Sequence, residues 1–256
     1  MKELKTYRVI NPRLLGTLSR QLDLPVDGAR NSESNIAATF GGLNLSRKTQ
    51  QTLKALSEEA TVEKVVDALR DRGQLAIYRP ERAGDLYSDE YAHRFVYETN
   101  LTVTPVHLPI KGDLKEESGL QSLTIWVSDP ALDSVDDREH QWDFKGTFLF
   151  LIQEISEVSM PRSIISGVSA LRAIVDVVAG KHRTFAEIDK SKPDIYGEAS
   201  PDHPLKKLEK AGGRIGLPRS IETVYKIAYM TDEQMTIIND TPIRVNDIMA
   251  YPLYIA

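Results

Sequence analysis

No cysteine occurs in the 256 residues. Disulfides, thiolate nucleophiles, iron–sulfur clusters and cysteine-ligated zinc are therefore excluded. Long apolar runs are also missing. The longest, 147–152, is far too short to span a bilayer, and the apolar stretch 163–179 is interrupted by Arg172 and Asp176. Residues 1–7 have no apolar centre of the kind a signal peptide needs. There is no excess of positive charge either. Thirty-two Lys and Arg against 37 Asp and Glu leave a net charge of −5, which exerts no general pull toward nucleic acid or anionic membranes. These absences predict a soluble cytoplasmic protein with no membrane span and no need for a cofactor.

What is present is enough apolar material for a substantial core, 41% of the chain. The strongest concentration lies over 142–180. A strand is expected over 144–155, then a turn at Met160-Pro161, then a helix over 166–180. Ser166 is placed to cap that helix, and Lys181, His182 and Arg183 follow its end. Phe148 and Phe150 share one face of the strand and Leu149 and Leu151 the other, so both faces are covered and the strand is central.

Upstream, Asn11-Pro12 reads as a helix start, with Leu14, Leu15, Leu18 and Leu22 on one face. Two further helices are expected, from Ser46 to about Ala60 and from Thr61 to Gly73, followed by a strand over 75–78. Strand patterns over 95–106, 120–127 and 144–155 are joined by loops without helical periodicity, which predicts an antiparallel meander. The tail reads as short strands over 221–230, 237–238, 243–245 and 251–255. The expected class is α+β: an antiparallel central sheet with packed helices and a mainly helical N-terminal segment. The segment covers 1–80 and the core 91–256, as two units or as one.

Two patterns carry possible chemistry. Gly167-Val168-Ser169-Ala170-Leu171 sits between an apolar run and a helix, the setting of a nucleophile elbow. Asp194 or Asp202, and then His203, follow in the chain order of a hydrolase triad, in which a base must take the serine proton. Leu171 stands where the elbow needs its second glycine, and a serine in a first helical turn explains the same residues. The second pattern, 206–219, sets five cations against one acid around three glycines. Lys210, Gly212, Gly213, Arg214, Gly216 and Arg219 could hold an anion, with amides converging on phosphate and guanidinium groups forking onto its oxygens. A basic helix end with a glycine cap accounts for the same residues.

Other motifs are weaker. The helices over 46–72 followed by a strand resemble a winged helix-turn-helix in outline. Glu63, Asp67 and Asp71 cancel the nearby cations there, so nucleic acid is disfavoured. The five histidines have no metal-ligand spacing. The aromatics of the central strands are those of a sheet core or of a pocket lining. Two readings follow. The favoured one is a non-catalytic binding or regulatory protein, contacting a protein partner or a small phosphorylated ligand through the basic glycine loop. The other is a serine hydrolase using Ser169 and His203.

Overall fold

Valine, isoleucine, threonine and aromatic residues recur through 95–128 and 219–255, and both stretches form strands. The computed structural model describes residues 5–24, 46–80, 91, 94–111, 120–130, 144–154, 163–165, 170–179, 202–231, 234–238 and 241–256. Its strands are β1 (Val9–Ile10), β2 (Leu75–Ala76), β3 (Phe95–Pro109), β4 (Ser122–Ser128), β5 (Phe144–Ile152), β6 (Ser163–Ile165), β7 (Arg214–Ile215), β8 (Arg219–Thr231), β9 (Gln234–Ile238) and β10 (Thr241–Ile255). The helices among the described residues are α1 (Pro12–Gln21), α2 (Ser46–Asp71), α3 (Ala170–Val178) and α4 (Pro204–Lys210).

Strands β3, β4 and β5 pair antiparallel in sequence order. The sheet then departs from a meander. β5 pairs in parallel with β10, β10 pairs antiparallel with β8, and β8 pairs antiparallel with β3. The ring β3-β4-β5-β10-β8 is thereby closed. This corrects the expected α+β class and its antiparallel sheet: strands outweigh helices among the described residues, and the fold is a closed, mixed five-stranded barrel. The physical reason is that two parallel strands need a long crossover. Here the crossover between β5 and β10 contains α3, α4 and β8, so no local pattern betrays the pairing. A barrel architecture alone assigns no activity.

The mainly helical N-terminal segment is corrected too. β1 pairs with the end of β10 and β2 with the start of β3, so the N-terminal part is hydrogen-bonded into the barrel sheet. The two helices expected over 46–73 are one, α2, running through Thr61. No glycine or proline lies between Ser46 and Asp71 to stop it. Asn11 does cap α1, its side-chain oxygen accepting from the Leu14 amide at 3.0 Å, with Pro12 at the first turn.

Three apolar layers hold the barrel. Trp126, Leu149, Leu151, Tyr225, Ile227 and Ile248 fill its interior. Val106, Ile125, Phe148 and Phe150 lie on an outer face beneath α3 and Leu208 of α4. Leu15, Leu18, Val65 and Leu69 of α1 and α2 cover a second outer face at Phe95, Val224 and Leu253. The alternation along β5 thus separates two layers, with Leu149 and Leu151 inside and Phe148 and Phe150 outside. β5 itself lies between β4 and β10. Among the described residues no helix is long and apolar enough to cross a membrane.

Candidate functional site

The basic glycine stretch lies along β3. β7 and the start of β8 pair with the same edge of that strand, Arg214 opposite His107 and Arg219 opposite Val103. Residues directly opposite each other in a sheet project to the same face, as do residues four apart on one strand. Arg214, Arg219, His107 and Val103 therefore share a face. Val103 belongs to the barrel interior with Trp126 and Leu151. The two arginines and His107, all exposed, mark the rim where that interior meets solvent. The two arginine positions are four residue steps apart along β3, roughly 13 Å of strand. Between them Gly216 contributes no side chain, and its amide donates to the Pro105 carbonyl at 2.7 Å. Among the described residues neither guanidinium has a hydrogen-bond or ion-pair partner.

The glycines are committed to their own chain. Gly212, at φ +96°, turns the chain out of α4, and its amide donates to the Glu209 carbonyl at 2.9 Å. The Gly213 amide donates to the Leu208 carbonyl at 2.9 Å. With the Gly216 amide also used, an anion here is left to side chains. Lys210 is ion-paired with Asp202, which also holds Lys206 at 3.0 Å. Of the residues grouped from sequence, the fold leaves Arg214 and Arg219 facing solvent together.

Gly213 has a packing role that a substitution would expose. A Cβ there would sit 2.7 Å from Val106 Cγ1 and 2.8 Å from the Leu208 carbonyl oxygen. Val106 is fully buried and the carbonyl is backbone, so neither can yield cheaply. Gly213→Ala is expected to destabilise by about 1–3 kcal/mol through overpacking. Gly16→Ala, within α1 and with nothing within 4 Å, should instead stabilise by up to about 1 kcal/mol. Urea denaturation of the two variants checks the contrast, and equal effects would contradict it.

A polar row crosses three strands at the same rim. His107 lies opposite Arg214 on one side and Thr124 of β4 on the other. Its Nδ1 is 3.2 Å from Thr124 Oγ1. The Thr124 hydroxyl donates to Glu154 Oε1 at 2.7 Å, and the Thr124 amide donates to Oε2 of the same carboxylate at 2.7 Å. Beside the row, the Trp126 indole N–H donates to Gln153 Oε1 at 3.2 Å. Sequence reading missed His107, Thr124 and Glu154. The parity of His107 with Val103 was readable, but its partners lie 17 and, from Thr124 onward, a further 30 residues away.

His203 caps α4, its Nδ1 accepting from the Leu205 amide at 3.2 Å. That bond places the proton of the neutral ring on Nε2, which faces Asp129 Oδ1 at 3.2 Å. A base acting on a serine needs a lone pair at the atom that takes the proton. Ser169, Asp194, the Ser166 cap, Trp142, His93, His140 and His182 lie outside the described residues. Among the described residues no group of three His, Asp or Glu side chains could hold a metal ion.

A half-buried ion pair and a buried carboxylate lie elsewhere on the barrel. Arg79, just after β2, forks onto Glu98 at 3.1 and 2.8 Å and donates to the Thr147 carbonyl at 2.9 Å. Glu98 also accepts from the Tyr225 hydroxyl. Asp247 of β10 is buried and accepts from the Ala170 and Leu171 amides at 3.1 and 3.4 Å, capping α3. Lys207 lies near enough for the Asp247 and Asp202 charges to oppose the burial that lowers its pKa.

Comparison with known proteins adds no assignment: no family model, no curated protein and no solved structure matches this chain.

Proposed function

We propose that this chain is a soluble, cytoplasmic, non-catalytic binding or regulatory protein that takes a small phosphorylated ligand at the rim defined by Arg214 and Arg219. The observation that carries the reading is the pairing of both arginines with one edge of β3, on one face and both exposed. Guanidinium groups present donors in a fork that matches phosphate oxygens, and they bind without backbone amides. Exposed Ile215 and Leu217 lie between the two arginines in the chain. They favour a second occupant of the same edge, a protein partner that brings acidic side chains to the arginines and apolar ones between them.

The test is a titration with a panel of nucleotides and phosphomonoesters, read as a rise in melting temperature and by calorimetry. A bound ligand raises stability by mass action. Arg214→Ala with Arg219→Ala should weaken binding at least about a hundredfold, because each charge-assisted hydrogen bond lost is worth about 1.5–3 kcal/mol. Both side chains are exposed, so stability without ligand should change by less than about 0.5 kcal/mol. If no phosphorylated compound shifts the melt of the native protein, the loop is a helix cap and no more.

A further inference from the structure

We infer that the ligand at this rim is a phosphoester that also carries a hydroxyl or amino donor beside its phosphate, read by Nε2 of His107. The inference rests on the anion site proposed above and names its substrate class. It starts from proton counting. The Thr124 hydroxyl has one proton and lies within bonding distance of both Glu154 Oε1, at 2.7 Å, and His107 Nδ1, at 3.2 Å. A carboxylate can only accept, so the hydroxyl proton goes to Glu154. The remaining bond then runs the other way, from His107 Nδ1–H to the Thr124 oxygen. A neutral imidazole carries one N–H, so Nε2 is left with a lone pair and acts as an acceptor.

The residue that carries this acceptor is the direct cross-strand neighbour of Arg214. The Arg214 guanidinium is a donor only. The rim therefore offers two complementary functions side by side, donors for an anionic oxygen and an acceptor for a neighbouring O–H or N–H. Inorganic phosphate satisfies the first alone. A sugar phosphate, a glycerol phosphate or a nucleotide ribose satisfies both. Thr124 and Glu154 touch no ligand in this scheme. They are positioning residues that set the tautomer, and Glu154 is itself held by two bonds from one threonine.

The experiment compares glycerol 3-phosphate with methyl phosphate on the full chain by calorimetry, alongside nitrogen-15 spectra of the histidine rings in alkaline buffer. The two esters share the phosphate and differ in the hydroxyls. Glycerol 3-phosphate should bind about tenfold more tightly, the value of one good hydrogen bond. His107→Ala should bring that ratio close to one. Thr124→Val should also reduce the ratio and change the His107 ring spectrum, since it removes the acceptor that holds Nδ1–H, and Thr124→Ser should restore both. In the free native protein the ring spectrum should report Nδ1–H.

A His107 ring protonated at Nε2 in the native protein would overturn the inference without touching the anion site. So would equal binding of the two esters. Failure of both esters to bind would overturn the anion-site reading and the ligand class with it, while the ring spectrum would still decide the tautomer.

Discussion

Glu98→Ala is expected to be the most destabilising single change at a polar side chain in this protein. Glu98 and Arg79 are each about 15% exposed, and Tyr225 is fully buried. Removal of the carboxylate leaves the Tyr225 phenol without its acceptor and the Arg79 charge without its counter-ion, held only by the Thr147 carbonyl and Ser128 Oγ. Breaking a buried pair from one side costs about 3–5 kcal/mol. For a chain of this size each kcal/mol corresponds to about 2–4 °C in melting temperature, so a fall of roughly 10 °C is expected. The double variant Arg79→Met, Glu98→Leu should be less damaging than Glu98→Ala alone, because no charge remains buried without its partner. Guanidinium denaturation of the three proteins measures this. A double variant worse than the single would show that the pair contributes net stability rather than mutual tolerance.

The same cluster sets an alkaline limit. Burial raises the Tyr225 pKa well above its ordinary 10, and the Glu98 charge adds to this while Arg79 opposes it. The neutral phenol is the folded-state form. Its contribution is complete below pH 10, where the unfolded chain also keeps the proton, and declines as pH rises above 10 and the unfolded tyrosine ionises. Tyr225→Phe should lose stability less steeply over that range.

The second large effect is expected at Asp247. Its carboxylate accepts from the amides of Ala170 and Leu171, both buried, at the start of α3. The first amides of a helix have no partner within the helix. Asp247→Ala removes their acceptor and a negative charge at the positive end of the helix dipole. A lost cap is worth about 1 kcal/mol, and a buried donor left without an acceptor costs about 1–3 kcal/mol, so a loss of about 2–4 kcal/mol is expected. Asp247→Asn keeps a side-chain oxygen and should lose less. Hydrogen exchange of the α3 amides locates the effect. A loss in Asp247→Ala below about 0.5 kcal/mol would mean that other groups satisfy the helix start.

The cap at Asp247 shows where sequence reading stops. Local logic gave the helix expected over 166–180 a cap at Ser166, which lies outside the described residues. Yet Asp247, 77 residues from Ala170, bonds the helix amides, brought there by β10. β10 was itself hard to see. Asn239-Asp240 and Asp247 broke its pattern into short pieces, yet 241–255 is one strand that pairs with β1, β5, β8 and β9. Pro252 falls at a register shift in the pairing with β8, where a missing amide is tolerated. The basic glycine stretch was legible as charge and flexibility. Its geometry was not, since the direction of each glycine amide depends on Leu208, Glu209 and Pro105.

By itself the sequence determined the absence of thiol chemistry, the two-faced apolar character of β5, the cap and stripe of α1, and the cluster of cations at 206–219. Each of these depends on residue identity or on spacing within a few residues, and local periodicity reports which face is apolar. The tertiary structure alone decided that the sheet closes into a mixed barrel, that half-buried Arg79 pairs with Glu98, and that Arg214 stands beside His107. These depend on register between strands far apart in the chain. Register is selected by the whole set of buried contacts at once, and no segment of the chain carries that information alone.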